Sequence, residues 1–162
     1  MDWPIDPIVT ERLTVRDARA SDAGLFERLY SDPDVRAYLG GPVPAAEIPK
    51  RVAETAWRGV FTVEVTETRQ PVGLVHIGPY RTGEIELSYE LVPEVWGRGF
   101  AREACQPVLA WARREVTKGD PIIAVTQVAN DRSRSLLTAL GFVERERFVE
   151  FGADQVLLVS GM

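Results

Sequence analysis

Trp96-Gly97-Arg98-Gly99-Phe100-Ala101-Arg102 joins two stretches of opposite period, and the way it joins them decides the fold. Before it, residues 84–91 alternate without a lapse. Ile85, Leu87, Tyr89 and Leu91 fall on one side and Glu84, Glu86, Ser88 and Glu90 on the other, the pattern of a strand with one wet face. After it, Ala101, Ala104, Cys105, Val108 and Ala112 recur at i, i+3, i+4, i+7 and i+11, which is a helix face. Pro107 falls inside that helix, where it removes a backbone bond and should bend the axis. Residues 122–128, after Pro121, form a nearly continuous apolar run, as in a strand covered on both faces. Strand, helix and buried strand in that order predict a right-handed parallel crossover. Within the joining turn, two glycines and an alanine keep side chains off the backbone, so consecutive N–H groups can converge on an anion. The helix starting there adds roughly half a positive charge from its dipole. Arg98 and Arg102 supply mobile countercharge, although a tight turn with a glycine break is a plainer reading of the same residues.

Outward from this centre, residues 60–66, 72–77 and 84–91 read as an antiparallel meander. Residues 12–17 alternate as a first strand. Ser21 and Asp22 offer an N-cap before Leu25, Phe26, Leu29 and Tyr30 at helical spacing, and Asp32-Pro33 ends that helix. Residues 34–57 carry short helical stretches broken by Gly40-Gly41-Pro42 and Pro44, which suits a lid or substrate-facing segment. Toward the C-terminus, Leu136, Leu137 and Leu140 make a short helix closed by Gly141, and residues 142–151 and 155–160 are two last strands. The expectation is an α+β sheet of mixed direction. Where its antiparallel half meets the parallel crossover, neighbouring strands can splay and open a cleft.

Composition narrows the function. With 162 residues, 45% of them hydrophobic and 27% charged, the chain suits one domain over 1–162 that needs no disulfide or metal to fold. Its single cysteine and single histidine cannot form a structural zinc site or a disulfide framework, so a reducing compartment is expected. A net charge of −5 argues against duplex nucleic acid and slightly favours a cationic partner. The N-terminus lacks a basic stretch followed by an apolar one, and nowhere do 18 apolar residues run together, so a soluble, cytoplasmic protein without a membrane partner is expected. Two nucleotide motifs fail. A dinucleotide fingerprint needs glycine or alanine where Arg102 stands, and a P-loop needs Lys followed by Ser or Thr after its glycine, whereas the lysines here are Lys50 and Lys118.

Another family resembles the chain along nearly its whole length. Tyr89-Glu90-Leu91-Val92-Pro93-Glu94-Val95-Trp96-Gly97-Arg98-Gly99-Phe100-Ala101-Arg102-Glu103-Ala104 is similar to the central motif of the GNAT acyl-CoA N-acyltransferases, whose pyrophosphate loop reads Arg/Gln-x-x-Gly-x-Gly/Ala. Thr10-Glu11-Arg12-Leu13-Thr14-Val15-Arg16, Asp32-Pro33-Asp34-Val35 and Asn130-Asp131-Arg132-Ser133, followed by Leu140-Gly141-Phe142, resemble the RimJ/RimL branch, the ribosomal-protein N-terminal acetyltransferases. Trp96 stands where Gln or Arg is frequent in the family, as is common in this branch. Pro107 has no counterpart expected there.

The resemblance implies a GNAT fold, a central sheet of about six or seven strands with about four flanking helices. It implies acetyl-CoA as co-substrate, no metal, and an amine acceptor such as a protein N-terminus, amino acid, polyamine or aminoglycoside. Relatives often pair, which leaves a homodimer open. By resemblance the backbone of Leu91 and Val92 holds the pantetheine arm, and Gly97, Arg98, Gly99, Phe100, Ala101 and Arg102 hold the pyrophosphate. Asn130 bonds the pantetheine near sulfur. Glu86 matches the family's strand glutamate and is the candidate general base, with Glu84 as substitute; a solvated strand face is the competing reading. The tyrosine that protonates the leaving thiolate in many members is Leu137 here. Ser133 is the candidate replacement, Ser135 a weaker one, and helix N-capping is the alternative for Ser133. His76, between Val75 and Ile77, reads as structural and Cys105 as a small core residue. Trp57, Tyr38 and Phe26 could line an acceptor pocket or simply pack. The vacancy at Leu137 keeps open a rival, a non-catalytic acyl-CoA-binding module; an α+β domain without any CoA site is a third reading.

Overall fold

A computed structural model describes residues 5–55 and 59–161. The chain runs β1 (Ile8–Val9), β2 (Leu13–Asp17), α1 (Ala23–Ser31), α2 (Ile48–Thr55), β3 (Val60–Val65), β4 (Gln70–Pro79), β5 (Ile85–Leu91), α3 (Phe100–Glu115), β6 (Ile122–Gln127), α4 (Asp131–Ala139), β7 (Phe142–Glu150) and β8 (Ala153–Ser160). The strands form one mixed sheet in the order β1-β2-β3-β4-β5-β6-β8-β7. Its first five are antiparallel neighbours, β5 and β6 are parallel, and β8 lies antiparallel between β6 and β7. This is the expected α+β GNAT fold with four α-helices among the described residues and a sheet of eight strands, slightly more than six or seven. The addition is β1, two residues long and too short to show a period.

Parallel pairing of β5 with β6 stops after Ile85↔Ile122 and Glu86↔Ile123. Beyond Glu86 the strands part, and the sheet opens into a cleft where its antiparallel half meets the crossover. This explains a partial departure from the sequence pattern: only Ile122, Ile123 and Ala124 of β6 are buried, while Val125, Thr126 and Gln127 are half-buried and Val125 and Thr126 border the opening. Helix α3 packs Ala104, Cys105, Val108, Leu109 and Ala112 against the sheet, with Trp111 edge-on to Phe61 at a ring separation of 5.2 Å. It continues without interruption through Pro107.

Asp22 stands at the N-cap of α1, yet its side chain does not cap the helix. It accepts both guanidinium nitrogens of Arg16 at 2.9 Å, the Arg19 N–H at 2.9 Å and the Thr62 hydroxyl at 2.8 Å. Burial alone would raise the Asp22 pKa; these donors hold it below the ordinary carboxylate value. Asp32 leaves the helix in extended conformation, as a residue before proline must, and its carboxylate bonds the N–H groups of Asp34 and Val35. Of the stretch 34–57, only Ile48–Thr55 is α-helical among the described residues, and Trp57 lies outside them. No helix among the described residues is long and apolar enough to cross a membrane.

Candidate active site

The parting of β5 from β6 determines which backbone groups are free. Val92 is in ladder register with Val72 and donates to its carbonyl at 2.8 Å, so by antiparallel alternation Glu90 and Ser88 also bond to β4. Tyr89 and Leu91 point their N–H groups the other way, into the space β6 has vacated. The two positions expected to grip a pantetheine arm therefore differ. Val92 commits its N–H to Val72 and its carbonyl to the Val95 N–H, whereas Leu91 turns its N–H to the gap and spends its carbonyl on the Trp96 indole at 2.8 Å.

The cleft contains a cavity of about 510 Å³ between β5, β6, the start of α3 and the start of α4. Gly97, Gly99, Phe100, Ala101 and Arg102 line it, and Arg98 lies beside them. Gly97 and Gly99 both take φ of +77°, a left-handed backbone that lets the turn present its amides. The Glu103 N–H is the first to find a backbone acceptor, at Gly99. Among the described residues, the N–H groups of 97–102 have no hydrogen-bond partner, as expected where a helix leaves its first donors unsatisfied. A neighbouring network fixes this turn. Glu103 accepts from the Thr10 hydroxyl at 2.7 Å and from the backbone and side chain of Arg12 at 2.8 Å each, while Arg12 lies 4.6 Å from the centre of the Phe100 ring. An anion is what such a run of donors lacks, so the residues present fit a diphosphate.

Opposite the turn, Asn130 caps α4 by accepting the Ser133 N–H at 3.2 Å. Ser133 is therefore not the cap; its hydroxyl lies 2.7 Å from the Tyr89 hydroxyl. Both residues line the cavity, as do Asn130 and the buried Leu137. Burial raises the Tyr89 pKa, with the Ser133 contact opposing, so the phenol keeps its proton. Reading 84–91 by alternation put Tyr89 on the apolar side and missed its polar end; a tyrosine facing a serine-bearing helix start was the available signal. Ser135 is exposed and away from the cavity.

Glu86, Ser88 and Glu90 share the other face of β5. Glu86 sits at the apex, on the last paired rung, and does not line the large cavity. Burial pushes its pKa up to about 7, with Arg81 opposing. Glu84 pairs with Arg145 at 2.7 and 2.9 Å, which lowers its pKa below the ordinary range and removes it as a base. A second cavity of about 310 Å³ includes Tyr30, Glu54, His76, Ser88 and Glu90 and shares Leu39, Ser88, Tyr89 and Glu90 with the first. Burial raises the Glu90 pKa against the pull of Arg36 and Arg51, with the Arg36 ion pair at 3.7 Å. His76 packs tightly: a Cβ at Gly78 would stand 2.7 Å from its ring, and burial lowers its pKa. Tyr38 lines the first cavity, while Phe26 is core. Cys105 is fully buried and its pKa is raised by that burial. Among the described residues no cluster of His, Cys, Asp and Glu could hold a metal.

Comparison with known proteins agrees with the geometry. The uncharacterized N-acetyltransferase p20 of Bacillus licheniformis is 27% identical over 148 residues, 85% of this chain and 83% of its own. An acetyltransferase of the GNAT family from Bacillus anthracis superposes with a TM-score of 0.83 at 23% identity, covering 95% of this chain and 97% of that one. Spermidine N-acetyltransferase from Vibrio cholerae, solved in complex with CoA and spermine, superposes with a TM-score of 0.73 at 21% identity, covering 93% and 94%. The family profile of the acetyltransferase (GNAT) domain matches residues 12–143, and the chain belongs to that family.

Proposed function

We propose that residues 1–162 form one acetyltransferase domain that moves the acetyl group of acetyl-CoA onto a primary amine by direct attack while both are bound. The observation that carries this reading is the run of unbonded N–H groups over 97–102, opening on a cavity that meets a second one at Ser88, Tyr89 and Glu90. The turn would hold the pyrophosphate, with Arg98 and Arg102 as countercharge. Leu91 would pair with the pantetheine, and the donor side of the Asn130 amide, left over from capping, would reach it near sulfur. Tyr89 and Leu91 N–H groups are the available donors for the charge that develops on the acetyl oxygen. Position and polarisation suffice for this reaction, so no metal or covalent nucleophile is called on.

Glu86 would take the proton from the amine, through a water, because it lies below the cavity; a carboxyl raised toward pH 7 suits a base at that pH. Ser133 would hydrogen-bond the departing thiolate. The second cavity has Glu54 and Glu90 on its lining, each with a cationic neighbour, Lys50 at 4.0 Å and Arg36 at 3.7 Å, and the chain's net charge of −5 slightly favours a cationic acceptor. Within the family, residues 10–16, 32–35 and 130–133 favour the RimJ/RimL branch. The test is purified protein with acetyl-CoA and a panel of amines, including N-terminal peptides and polyamines, followed by thiol release. Turnover supports the enzyme. Tight CoA binding with no release on any acceptor overturns it in favour of the binding module.

A further inference from the structure

Ser133 is useful to a departing thiolate only if its hydroxyl proton points into the cleft. Its oxygen has a neighbour that bears on this: the Tyr89 hydroxyl at 2.7 Å, which lies 3.5 Å from the Ser133 carbonyl as well. A phenol is a stronger acid than an alcohol and so the better donor of the two. If the phenol donates to Oγ, the serine proton is left over for another acceptor. If the serine donates instead, its proton is spent on the phenol and the cavity receives none. The two residues come from β5 and α4, the opposite walls of the cleft, and Asn130 fixes the serine end by taking its N–H.

We infer that Tyr89 is a positioning residue that donates to Ser133 Oγ and thereby turns the serine proton toward the leaving sulfur, filling the role left vacant at Leu137. This rests on the acyl-transfer reading above. In the step itself, the amine nitrogen's electron pair forms the C–N bond and the C–S bond breaks with its pair on sulfur. Sulfur takes the proton of Ser133, cleft water reprotonates the serine, and the hydroxide so formed is neutralised by the proton that nitrogen has released to the base. In total one proton leaves nitrogen and one reaches sulfur, while Tyr89 stays protonated throughout.

The experiment compares two acetyl donors in single-turnover reactions: acetyl-CoA and its selenium analogue, acetyl-seleno-CoA. A selenolate is the weaker base and leaves without needing a proton. Tyr89→Phe should slow transfer from acetyl-CoA about tenfold, the worth of one oriented hydrogen bond, and leave transfer from the selenoester within about twofold of wild type. Ser133→Ala should show the same donor dependence, and Tyr89→Phe combined with Ser133→Ala should be no slower than Ser133→Ala alone. Equal slowing with both donors in both variants, or fully multiplicative losses in the double variant, overturns the inference. Because Ser133→Ala is read independently, a Tyr89→Phe protein that fails to fold still leaves the donor test in force. A wild-type protein that transfers nothing from either donor sinks the acyltransferase reading itself, whereas an active wild type with an unaffected Tyr89→Phe sinks only this one.

Discussion

Replacing Glu86 by glutamine should change both stability and rate in a pH-dependent way. Burial moves the Glu86 carboxyl from its ordinary 4.5 up to about 7, against the opposing field of Arg81. Because the folded pKa lies above the unfolded one, the folded chain keeps a proton that the unfolded chain has already released between these values. Stability is therefore fullest below about pH 4.5, falls as pH rises toward 7, and stays reduced above it. At 1.36 kcal/mol for each pH unit of displacement, the loss is about 3 kcal/mol. Glutamine keeps the shape and never ionises. Urea unfolding of both proteins at pH 5 and pH 8 should show the difference between them moving by about 2 to 3 kcal/mol in favour of Glu86→Gln. Groups common to both proteins, Asp22 and Glu90 included, cancel in that double difference. In turnover the sign reverses: wild-type kcat/KM should rise with pH through an acid limb near 7, and the variant should lose the limb and about 10²- to 10⁴-fold of the rate. Parallel stability profiles would refute the burial argument, and an unchanged rate profile would remove Glu86 from the chemistry.

Three further perturbations test separate parts of the structure. Gly99→Ala forces an L-residue to φ +77°, at a strain of about 1 kcal/mol, and its Cβ meets Arg12 at an ordinary 3.7 Å; calorimetry should show CoA binding weakened about tenfold or more, and an unchanged Kd would count against the turn as the phosphate site. Asp22→Asn removes one of the two carboxylates that hold buried Arg16, leaving Glu64 at 3.0 Å, and should lower the unfolding free energy by about 1 to 3 kcal/mol, with a loss under about 0.5 kcal/mol showing that the pair is not the anchor of α1. Cys105 should stay inert to a thiol reagent until the protein unfolds, and Cys105→Ala should retain turnover. Fast labelling of the native protein would contradict its place in the core.

Much of this arrangement was legible because its signals are local. Alternation over 84–91, the glycine spacing at 97 and 99, and the helix face of Ala101 through Ala112 each depend on a few adjacent residues, and each became the element expected. What escaped depends on distant partners. Ile122 to Val128 looks uniformly buried in sequence, yet half of the strand is only half-buried, with Val125 and Thr126 on the cleft, because β6 leaves β5 after two rungs. Ser133 was as good a cap as Asn130 by residue type, and only the path of the chain gave that role to Asn130. Asp22 has cap chemistry, but a guanidinium from β2 claimed its oxygens. The insertion of β8 between β6 and β7 has no local signature at all.

Two rungs between β5 and β6 also leave an imprint on hydrogen exchange. Along one strand, the amides of Ser88 and Glu90 are locked to β4, while those of Tyr89 and Leu91 face the gap. Deuterium should therefore enter the apo protein in a fast-slow alternation along a single strand. Adding coenzyme A should slow the odd-numbered pair and leave the even-numbered pair as it was, so that the ligand completes a ladder the polypeptide leaves unfinished.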